Sequence, residues 1–509
     1  MIATSIAMPN RETQGAPTPE PLTVLFVLDR SCVWRWQAWL AKAFADDGCT
    51  VAVQFAETRQ GLPSALRLLM ALEGLLFAAP SERASEHLGD AEIAALPVAD
   101  AGAHCDLAID FTGAAANIDA DRMLRPAFDG IAGDAGAIAA VLERRSPRLG
   151  LAGDDEGLSE QGSCALEDPE IFSRGLDGVF SRMADLLLNA ARGREPAGCA
   201  GSKVTPPPTT SSAIAPAAFF ATSIANKASA RIARLLGEAP RWQVAWRHGG
   251  SAHAHDTLDI AWRDFTRLPD DAARYYADPF VLMRGNIAHV FCEEVPFATG
   301  KGVISHFTID TAGRASTPRP VLERPYHLSY PFVFERDGHV WMIPETSANR
   351  TVELYRAERF PDRWVKEAVL LDRVLADDAT LVEHGGRLWM FAGVRDWQAS
   401  SWEALGLFHA DTLFGPWHAH PGNPVLLDPA ASRPAGALFM HQGRLIRPAQ
   451  DCRARYGAGL AFARIDRLDE EGFAQEVVAR TAPETRGTKG LHTYNCASEV
   501  EVIDLFATG

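Results

Sequence analysis

The 509-residue sequence lacks the features that mark several common classes of protein. Its eight cysteines show no C-x-x-C or Cys/His spacing, so we expect no structural zinc site. No apolar run approaches the roughly 18 residues that a membrane-spanning helix needs, so we expect no integral membrane segment. The formal net charge of −16 argues against nucleic acid or an anionic membrane surface as the main partner, because both require a basic face.

The N-terminus also lacks a targeting signal. Residues 1–20 have no basic start followed by an apolar stretch, so we expect them to be disordered and no secretory signal to be present. Several cysteines lie in apolar runs, such as Cys105 before Leu107, where a thiol behaves as a small hydrophobic group. This cysteine usage is typical of a reducing compartment, and we expect a cytoplasmic protein.

An α/β domain is predicted for residues 21–195. Thr23–Leu28 is an apolar run that indicates a buried parallel strand, and an amphipathic helix and a second strand at Thr50–Phe55 complete a βαβ unit. Another strand is expected at Asp106–Phe111 and a helix at Gly178–Ala191. The pattern indicates a Rossmann-like sheet. However, no G-x-G-x-x-G turn follows the first strand, so dinucleotide binding has no motif support.

A change in composition separates this domain from the remainder of the chain. Residues 196–217 are rich in Pro, Ser, Thr and Ala, which predicts a semi-rigid linker. A helical connector is expected over residues 218–239. From residue 240 to residue 507 the sequence consists of short strand-like segments with frequent turns, which is typical of an all-β domain.

A repeat in this β region is the strongest pattern in the sequence. Four segments share a small or polar opening position, an apolar strand, a turn and a second apolar strand. Their opening positions are Asp278, Tyr330, Asp378 and Ala435. Each is followed eight residues later by a turn residue, and successive units are roughly fifty residues apart. A period of this length without helices indicates propeller blades of about four strands each.

A fifth unit is suggested near the C-terminus, at Leu491–Asn495 followed by Val500–Ile503. Strand-like stretches near Val244 and Leu258 are expected to complete this last blade and close the ring, which would remove exposed sheet edges. We therefore predict a five-bladed β-propeller over residues 240–507. A β-sandwich whose spacing is coincidental is the alternative.

The repeat predicts which side chains meet at the centre of the ring. Asp278 and Asp378 occupy the same slot two blades apart and would face each other across the channel. The position seven residues after each turn residue adds Glu293, Glu345 and Gln450. Carboxyl groups in different environments can serve as acid and base in sugar chemistry. The alternative is structural, because an aspartate that opens a strand often caps a turn or pairs with an arginine.

Several segments resemble known carbohydrate-active propellers. Tyr276–Val281 and the repeated pattern resemble glycoside hydrolase family 43. Tyr330–Val333, Ile343–Thr346, Asp378–Val382 and Gly487–His492 more closely resemble the propeller of the glucosamine inositolphosphorylceramide transferase family. In plant members of that family the propeller is N-terminal and a glycosyltransferase domain follows it. Because this chain ends two residues after the predicted propeller, we expect that domain to be missing.

The N-terminal domain more weakly resembles the formyltransferase fold found in bacterial relatives. No Asn, His and Asp arrangement matches formyltransferase catalysis, so we expect a degenerate formyltransferase-like domain without that activity.

The family 43 resemblance implies roles for three slots. Asp278 matches the general base and Asp378 matches the residue that tunes and orients. The general acid, a glutamate that opens the fourth blade, is not matched, because Arg433 stands where it is expected. An arginine does not act as an acid near neutral pH, but it is well suited to stabilising an anionic leaving group. Arg447 could join Arg433 in this role, as could Arg453 and Arg455, and a structural ion pair is the alternative for Arg433.

Further binding residues are expected along the channel. They are Glu293, Tyr330, Gln450, His492 and Asn495, with Lys489 in the same Gly-rich loop as His492. No cofactor is expected and no metal-ligand cluster is strong enough to predict a metal site, although a channel cation held by carboxylates stays open as an alternative.

Three functions are compatible with these residues. The first is a cytoplasmic glycosyltransferase that uses an activated sugar donor, such as a nucleotide sugar, in glycan or glycolipid assembly, with Asp278 as base and Asp378 orienting. The second is a glycoside hydrolase whose acid is Glu345. The third is a non-catalytic glycan-binding module in which Tyr330, Trp341, Trp389 and Trp397 stack on sugars.

Overall fold

The chain, described here by a computed structural model, divides into two compact units. The first comprises Met1–Arg231 with Asp396–Ser400, and the second comprises Ile232–Arg395 with Ser401–Gly509. The structure describes residues 21–56, 61–77, 82–99, 102–113, 118–153, 159–193, 214–235, 241–248, 253–269, 271–483 and 487–507. Residues 1–20, for which disorder was predicted, and most of the predicted linker lie outside these ranges.

The first unit alternates strands and helices. Its elements are β1 (Thr23–Asp29), α1 (Arg35–Asp46), β2 (Thr50–Ala56), α2 (Ser64–Leu76), α3 (Asp90–Ala94), β3 (Cys105–Asp110), β4 (Ala120–Phe128), β5 (Ile131–Ala132), α4 (Ala135–Leu142), β6 (Arg148–Ala152), β7 (Ser159–Ser163), α5 (Phe172–Ala191) and α6 (Pro216–Leu235). None of the helices in the described ranges is both long enough and apolar enough to cross a membrane.

These strands form one mixed sheet in the order β2-β1-β3-β4-β6-β7, with β5 paired to β4. The first four strands of this order are parallel, and β1, α1 and β2 form the βαβ unit that the sequence predicts. Strands β6 and β7 are antiparallel to their neighbours. Apolar side chains of β1 and β3 are buried, which explains why β1 reads as a continuous apolar run.

Helix α5 begins six residues earlier than the sequence predicts. Its first two backbone N–H groups, at Phe172 and Ser173, donate to the carboxylate of Glu73 on α2 at 2.7 and 2.9 Å. A carboxylate at a helix N-terminus satisfies N–H groups that have no partner within the helix. The start is therefore set by a residue about a hundred positions away, which a local pattern cannot reveal.

The second unit consists of five antiparallel sheets. Before the first complete blade come β8 (Arg241–His248), α7 (Ala254–Thr257) and β9 (Thr266–Arg267). The first two blades are β10 (Arg274–Arg284), β11 (Ile287–Pro296), β12 (Val303–Ile309) and β13 (Arg319–Leu322), then β14 (Ser329–Arg336), β15 (His339–Glu345), β16 (Thr351–Arg359) and β17 (Arg363–Asp372). The third and fourth are β18 (Ala376–His384), β19 (Arg387–Val394), β20 (Ala404–Ala410), β21 (His418–Ala419) and β22 (Leu426–Leu427), then β23 (Phe439–His441), β24 (Arg444–Asp451), β25 (Gly459–Leu468) and β26 (Phe473–Thr481).

The fifth sheet joins the two ends of this unit. It contains β27 (Thr488–Gly490), β28 (Tyr494–Ala497) and β29 (Val500–Ala507) together with β8 and β9. Strand β8 pairs with β29 along its whole length, from Arg241 opposite Ala507 to His248 opposite Val500. The predicted five-bladed propeller and its closure through Val244 are confirmed. The expectation of a strand near Leu258 is wrong, because that residue ends the short helix α7 with a positive φ and the outer strand lies at β9.

The predicted opening positions coincide with breaks in strand pairing. In three blades the pairing of the two inner strands skips the opening residue, which is Asp278, Tyr330 or Asp378. The φ angles of these residues are positive, at 52°, 41° and 56° respectively. Such a bulge leaves a residue unpaired and re-aims its side chain. The same bulge occurs in three blades and directs the side chains of Asp278, Tyr330 and Asp378 towards neighbouring blades.

Candidate active site

Asp278 is fixed by neighbours from two other blades. Its Oδ1 accepts a hydrogen bond from the hydroxyl of Thr493 at 3.0 Å, and its Oδ2 accepts the backbone N–H of Tyr330 at 3.3 Å. Its own backbone N–H donates to Oδ2 of Asp504 at 2.9 Å. Asp278 is 4% exposed, so its carboxyl group is almost removed from solvent.

His492 lies between two carboxylates. Its Nε2 is 3.3 Å from Oδ1 of Asp278, and its Nδ1 is 2.7 Å from Oδ2 of Asp504. The second contact is an ion-pair contact whose angle departs from hydrogen-bond geometry. The ring of Trp242 stacks on the imidazole with centroids 3.8 Å apart. Burial alone would lower the pKa of His492, but the two carboxylates outweigh it and raise the pKa above its usual value.

Arg433 is the buried cation opposite this group. Its Nε donates to Oδ2 of Asp378 at 2.6 Å and its Nη1 donates to the hydroxyl of Ser401 at 2.7 Å. Its Nη2 makes no hydrogen bond within the described ranges and lies 3.7 Å from Oε2 of Glu345. Nη1 is also 3.7 Å from Asp377, so one guanidinium serves three carboxyl groups.

The carboxyl groups are harder to ionise than usual. Burial raises the pKa of Asp278 to about 6, with His492 acting in the opposite direction. Burial and the nearby Asp377 raise the pKa of Glu345. Burial also raises the pKa of Asp378, in spite of Arg433. A raised pKa lets a buried carboxyl group hold or accept a proton near neutral pH, as acid and base roles require.

A more exposed pair lies beside these groups. The carboxylate of Glu293 contacts Nε2 of His327 at 2.8 Å, and this interaction raises the pKa of His327. The side chain of His327 is 38% exposed, whereas that of Glu345 is 13% exposed. Glu345 accepts hydrogen bonds from the hydroxyls of Ser329 and Ser347 at 3.1 and 2.7 Å. His327 is therefore the most accessible of these side chains, and Glu345 is more exposed than Asp278, Asp378 and Arg433.

The structure brings most of the predicted residues together. Asp278, Asp378, Glu345, Arg433 and His492 interact directly or through one another, as described above. Gln450 joins them, since its side-chain amide donates to Oδ2 of Asp378 at 3.2 Å.

Three predicted binding residues have structural partners instead. The guanidinium of Arg447 is fully buried and donates to the backbone carbonyls of residues 431 and 432 and to the side chain of Gln475, so it holds the segment that precedes Arg433. The side chain of Asn495 bridges the N–H of Ala437 and the carbonyl of Pro279. The hydroxyl of Tyr330 accepts the N–H of Gly436 at 2.7 Å and contacts Thr380 at 2.9 Å.

Other expected channel residues lie elsewhere. The indole N–H groups of Trp341 and Trp389 bond to backbone carbonyls at the turn ends of their own hairpins, and both rings are buried. Trp397 packs on Trp39 in the first unit. Arg453 pairs with Asp451 and is largely exposed. Stacking of these tryptophans on sugars in the channel is therefore not supported.

Sequence reasoning missed four residues that shape the site. Asp504 lies on β29, Asp377 precedes Asp378, and His327 lies three residues before an opening position. Tyr456 lies beneath the guanidinium of Arg433, with the cation 5.1 Å from the ring centroid. A signal existed only for Asp377, in the doubled Asp377-Asp378, and for Asp504, the acidic residue within an apolar strand.

Asp278, His492 and Asp504 also offer donor atoms that all lie within 4.8 Å of one another, as in a metal site. Both oxygens of Asp504 are already engaged by protein groups: Oδ1 accepts the backbone N–H groups of His492 and Thr493, and Oδ2 accepts that of Asp278. Ion-pair contacts with His492 also hold the carboxylates of Asp278 and Asp504.

Comparison with known proteins finds relatives of the propeller region. Residues 267–505 match the family model described as glucosamine inositolphosphorylceramide transferase 1, N-terminal. The curated protein of that name from Oryza sativa subsp. japonica is 31% identical over 229 residues, covering 44% of this chain and 30% of the relative. The one from Arabidopsis thaliana is 28% identical over 282 residues, covering 53% and 36%. The chain thus spans about a third of the length of the curated relatives that it matches.

Solved structures with a similar chain trace are more distant. They include Zg3597, a family 117 glycoside hydrolase of Zobellia galactanivorans, at 11% identity and a TM-score of 0.35 over 53% of this chain and 91% of that one. An exo-1,5-α-L-arabinanase from a bovine ruminal metagenomic library has 15% identity and a TM-score of 0.32 over 46% and 94%. The resemblance predicted from the propeller motifs is confirmed at the level of the family model: the β-propeller of this chain matches the N-terminal domain of glucosamine inositolphosphorylceramide transferase 1.

Proposed function

We propose that this protein transfers a glycosyl group from an activated, anionic sugar donor in glycan or glycolipid assembly, and that the centre of the propeller carries the reaction. The names of the matching relatives, which describe a transferase acting on a sphingolipid, support this class of reaction. The match covers only about a third of those relatives, and the geometry of the site supports the same class of reaction.

The observation that carries the proposal is the incomplete set of hydrogen bonds made by the guanidinium of Arg433. Two of its nitrogens are held by Asp378 and Ser401, while Nη2 makes no hydrogen bond within the described ranges. Nη2 has only the 3.7 Å ion-pair contact with Glu345, so it can still donate a charge-assisted hydrogen bond to an anionic group, and such bonds are strongest out of water. A phosphate that leaves the donor sugar is such a group.

The chemistry follows from the roles of three side chains. The oxygen of an acceptor hydroxyl bonds to the anomeric carbon of the donor, and Asp278 accepts the proton of that hydroxyl. The bond from that carbon to the phosphate oxygen breaks, and the phosphate leaves with the electron pair and is stabilised by Arg433. Asp378 keeps the guanidinium in place through its 2.6 Å contact. His492 stabilises the ionised form of Asp278 before the proton arrives.

Hydrolysis of a glycosidic bond is the second candidate, and Glu345 favours it. Burial and Asp377 raise the pKa of this carboxyl, so it retains a proton more readily than a surface glutamate. It is also among the more accessible groups of the site. Glu345 would then protonate the leaving oxygen while Asp278 activates water.

A binding and turnover screen separates these reactions. The purified chain is titrated calorimetrically with nucleotide sugars and with neutral oligosaccharides, and the mixtures are analysed for transfer and cleavage products. Asp278→Asn and Arg433→Lys test the site, since the lysine keeps the charge but loses the fork geometry. Arg453→Ala is the matched control on the same blade, because this arginine is largely exposed.

The transferase proposal predicts that nucleotide sugars bind, and that Arg433→Lys weakens this binding whereas Arg453→Ala leaves it unchanged. Cleavage of an oligosaccharide that is lost in Asp278→Asn and in Glu345→Gln would instead establish the hydrolase. Binding of a neutral glycan without turnover, and with no effect of Asp278→Asn, would identify a binding module.

We further propose that the first unit is a Rossmann-like domain related to the formyltransferase fold, and that the protein works in the cytoplasm. The four parallel strands and the βαβ unit support the first statement. The second is supported by six described cysteines that take part in no disulfide, as is usual in a reducing compartment: Cys32, Cys49, Cys105, Cys292, Cys452 and Cys496. Localisation of a tagged full chain tests it, and a secreted protein would contradict it.

A further inference from the structure

The first unit contains a pocket that the proposed reaction does not use. Its volume is about 410 Å³, within the range of small-molecule sites. It lies between one face of α2 and the segment 83–87. Its lining residues are Arg67, Met70, Ala71, Arg83, Ser85, Glu86 and His87. All of them lie in the first unit, so the pocket is complete without the propeller.

Two arginines give the pocket its charge. Arg67 is exposed on α2, and its side chain makes no hydrogen bond or ion pair with any residue in the described ranges. Arg83 is more confined: its Nη2 reaches the hydroxyl of Ser85 at 3.3 Å, and its Nε lies 3.6 Å from the buried carboxylate of Asp177. Glu86 is the acidic lining residue, and Arg35 outside the pocket pairs with it at 2.8 Å.

His87 adds a polar atom that lacks a partner. Its Nε2 is buried and makes no hydrogen bond in the described part of the chain. The ring is held against the indole of Trp34, with centroids 4.1 Å apart. Burial and the charge of Arg67 lower the pKa of His87, so the ring is neutral at pH 7. A neutral imidazole can donate to a phosphate oxygen or accept from a protonated one.

We propose that this pocket binds the phosphate group of a phosphorylated small molecule. Arg67 and Arg83 supply the positive charge and the planar donors that suit phosphate. Nε2 of His87 gains the partner that it lacks. Met70 and Ala71 provide an apolar surface for the organic part of the ligand. The pocket is much larger than a phosphate ion, which leaves room for a sugar or a nucleoside.

Calorimetry on the full chain tests the proposal. The probes are inorganic phosphate, glucose 1-phosphate and uridine monophosphate, with glucose and uridine as uncharged counterparts. We expect the phosphorylated probes to bind and the uncharged ones not to bind. Tighter binding of the sugar phosphate or of the nucleotide identifies the source of the phosphate group, and equal binding of all three probes supports recognition of phosphate alone. No binding of any phosphorylated probe would overturn the proposal.

Variants locate the binding. Arg67→Gln is expected to weaken phosphate binding at least about tenfold, because a charge-assisted hydrogen bond is lost. His87→Gln is expected to weaken it less. Arg174→Gln is the matched control, since this arginine of the same unit is 45% exposed and pairs with Asp168. Binding that Arg67→Gln leaves unchanged would contradict the assignment.

A further variant keeps this test separate from the propeller reaction. Arg433→Lys is expected to leave binding at the first-unit pocket unchanged. If that variant abolishes binding of the phosphorylated probes, the phosphate site is in the propeller and the pocket proposal fails. Conversely, loss of binding in Arg67→Gln but not in Arg433→Lys supports the pocket proposal, whether or not the propeller catalyses glycosyl transfer.

Discussion

At the scale of single residues, Asp278 combines burial with a carboxyl group that ionises near neutral pH. With a pKa of about 6, most of the Asp278 carboxyl is ionised at pH 7. At pH 5 the ionised form is roughly tenfold less abundant than at high pH, where ionisation is complete. Asp278 shares His492 with the carboxylate of Asp504. This pairing is what allows a buried carboxyl to remain a base.

The proposed base role therefore predicts a pH profile. The value of kcat/KM should rise about tenfold per pH unit below pH 6 and level off above about pH 7, because only ionised Asp278 accepts a proton. Asp278→Asn should lower kcat at least about a hundredfold. Asp271→Asn serves as the control, since Asp271 is half exposed and pairs with Arg274 before the same strand. A profile that is flat between pH 5 and 7 would contradict the role.

Arg433 governs stability as well as chemistry. In Arg433→Met, the carboxyl groups of Asp378, Asp377 and Glu345 lose their common counter-ion, which should cost about 3–5 kcal/mol of unfolding free energy. Without the cation the pKa values of Asp378 and Glu345 rise further, so the folded state takes up protons at low pH. The loss should therefore be smaller at pH 5 than at pH 8.

Urea unfolding at the two pH values measures this difference. Arg464→Met is the control, because Arg464 is a third exposed and pairs with carboxylates at the surface. An equal loss at pH 5 and pH 8 would mean that the buried carboxyl groups do not depend on Arg433 for their ionisation.

At the scale of the element, the bulges of the inner strands explain both the repeat and the site. Three opening residues adopt a positive φ, which is rare for residues other than glycine and persists only where surrounding contacts impose it. The fourth blade differs: Ala435 opens it, and Gly436 takes the unusual conformation with a φ of 135°. A Cβ at Gly436 would lie 2.0 Å from the carbonyl oxygen of Tyr494.

Gly436→Ala should therefore destabilise the fold by about 3 kcal/mol or more, because the backbone of two blades must separate. Gly443→Ala, in the hairpin turn of the same blade, has open space around its Cβ and should cost only about 1 kcal/mol for its positive φ. Thermal unfolding of both variants compares the two effects. Similar losses would show that the close approach to Tyr494 is not a constraint.

At the scale of the molecule, the propeller depends on a strand contributed from the start of the second unit. Strand β8 pairs with β29 over eight residues and thereby closes the ring. Fully buried side chains of β8 and β29, such as Val244, Val502 and Ile503, form part of the core between blades. Closure removes sheet edges that would otherwise be free to pair with other chains.

Val244→Asp should open this closure. The buried side chain lies opposite Asp504, so the substitution adds an unpaired charge beside another carboxylate and should cost more than about 3 kcal/mol. Val478→Asp, at a 38% exposed position of β26, should be nearly neutral. Limited proteolysis and thermal unfolding report the difference, and equal stability of the two variants would refute the role of β8.

The repeat was readable from the sequence because each blade uses the same local pattern of bulge, strand and turn. Asp278, Asp378, Glu345 and Gln450 could be placed at the centre from their register alone. His327 and Tyr456 could not, because they lie in connections between strands whose path no repeat predicts. Arg447 was predicted from its blade and Asn495 from its Gly-rich loop. Hydrogen bonds to the backbone of neighbouring segments occupy both side chains, and their role in binding stays a prediction.

The amino-acid sequence by itself determined the number of blades, the strand that closes the ring and the residues that face its axis, since these follow from local periodicity. The tertiary structure alone decided how those residues are charged. His492 pairs with Asp504 and Arg433 pairs with Asp378, and burial shifts the pKa of Asp278. All three effects depend on distances between segments that are far apart in the chain. Electrostatic energies vary steeply with distance and solvent exposure, and neither is encoded in spacing along the sequence.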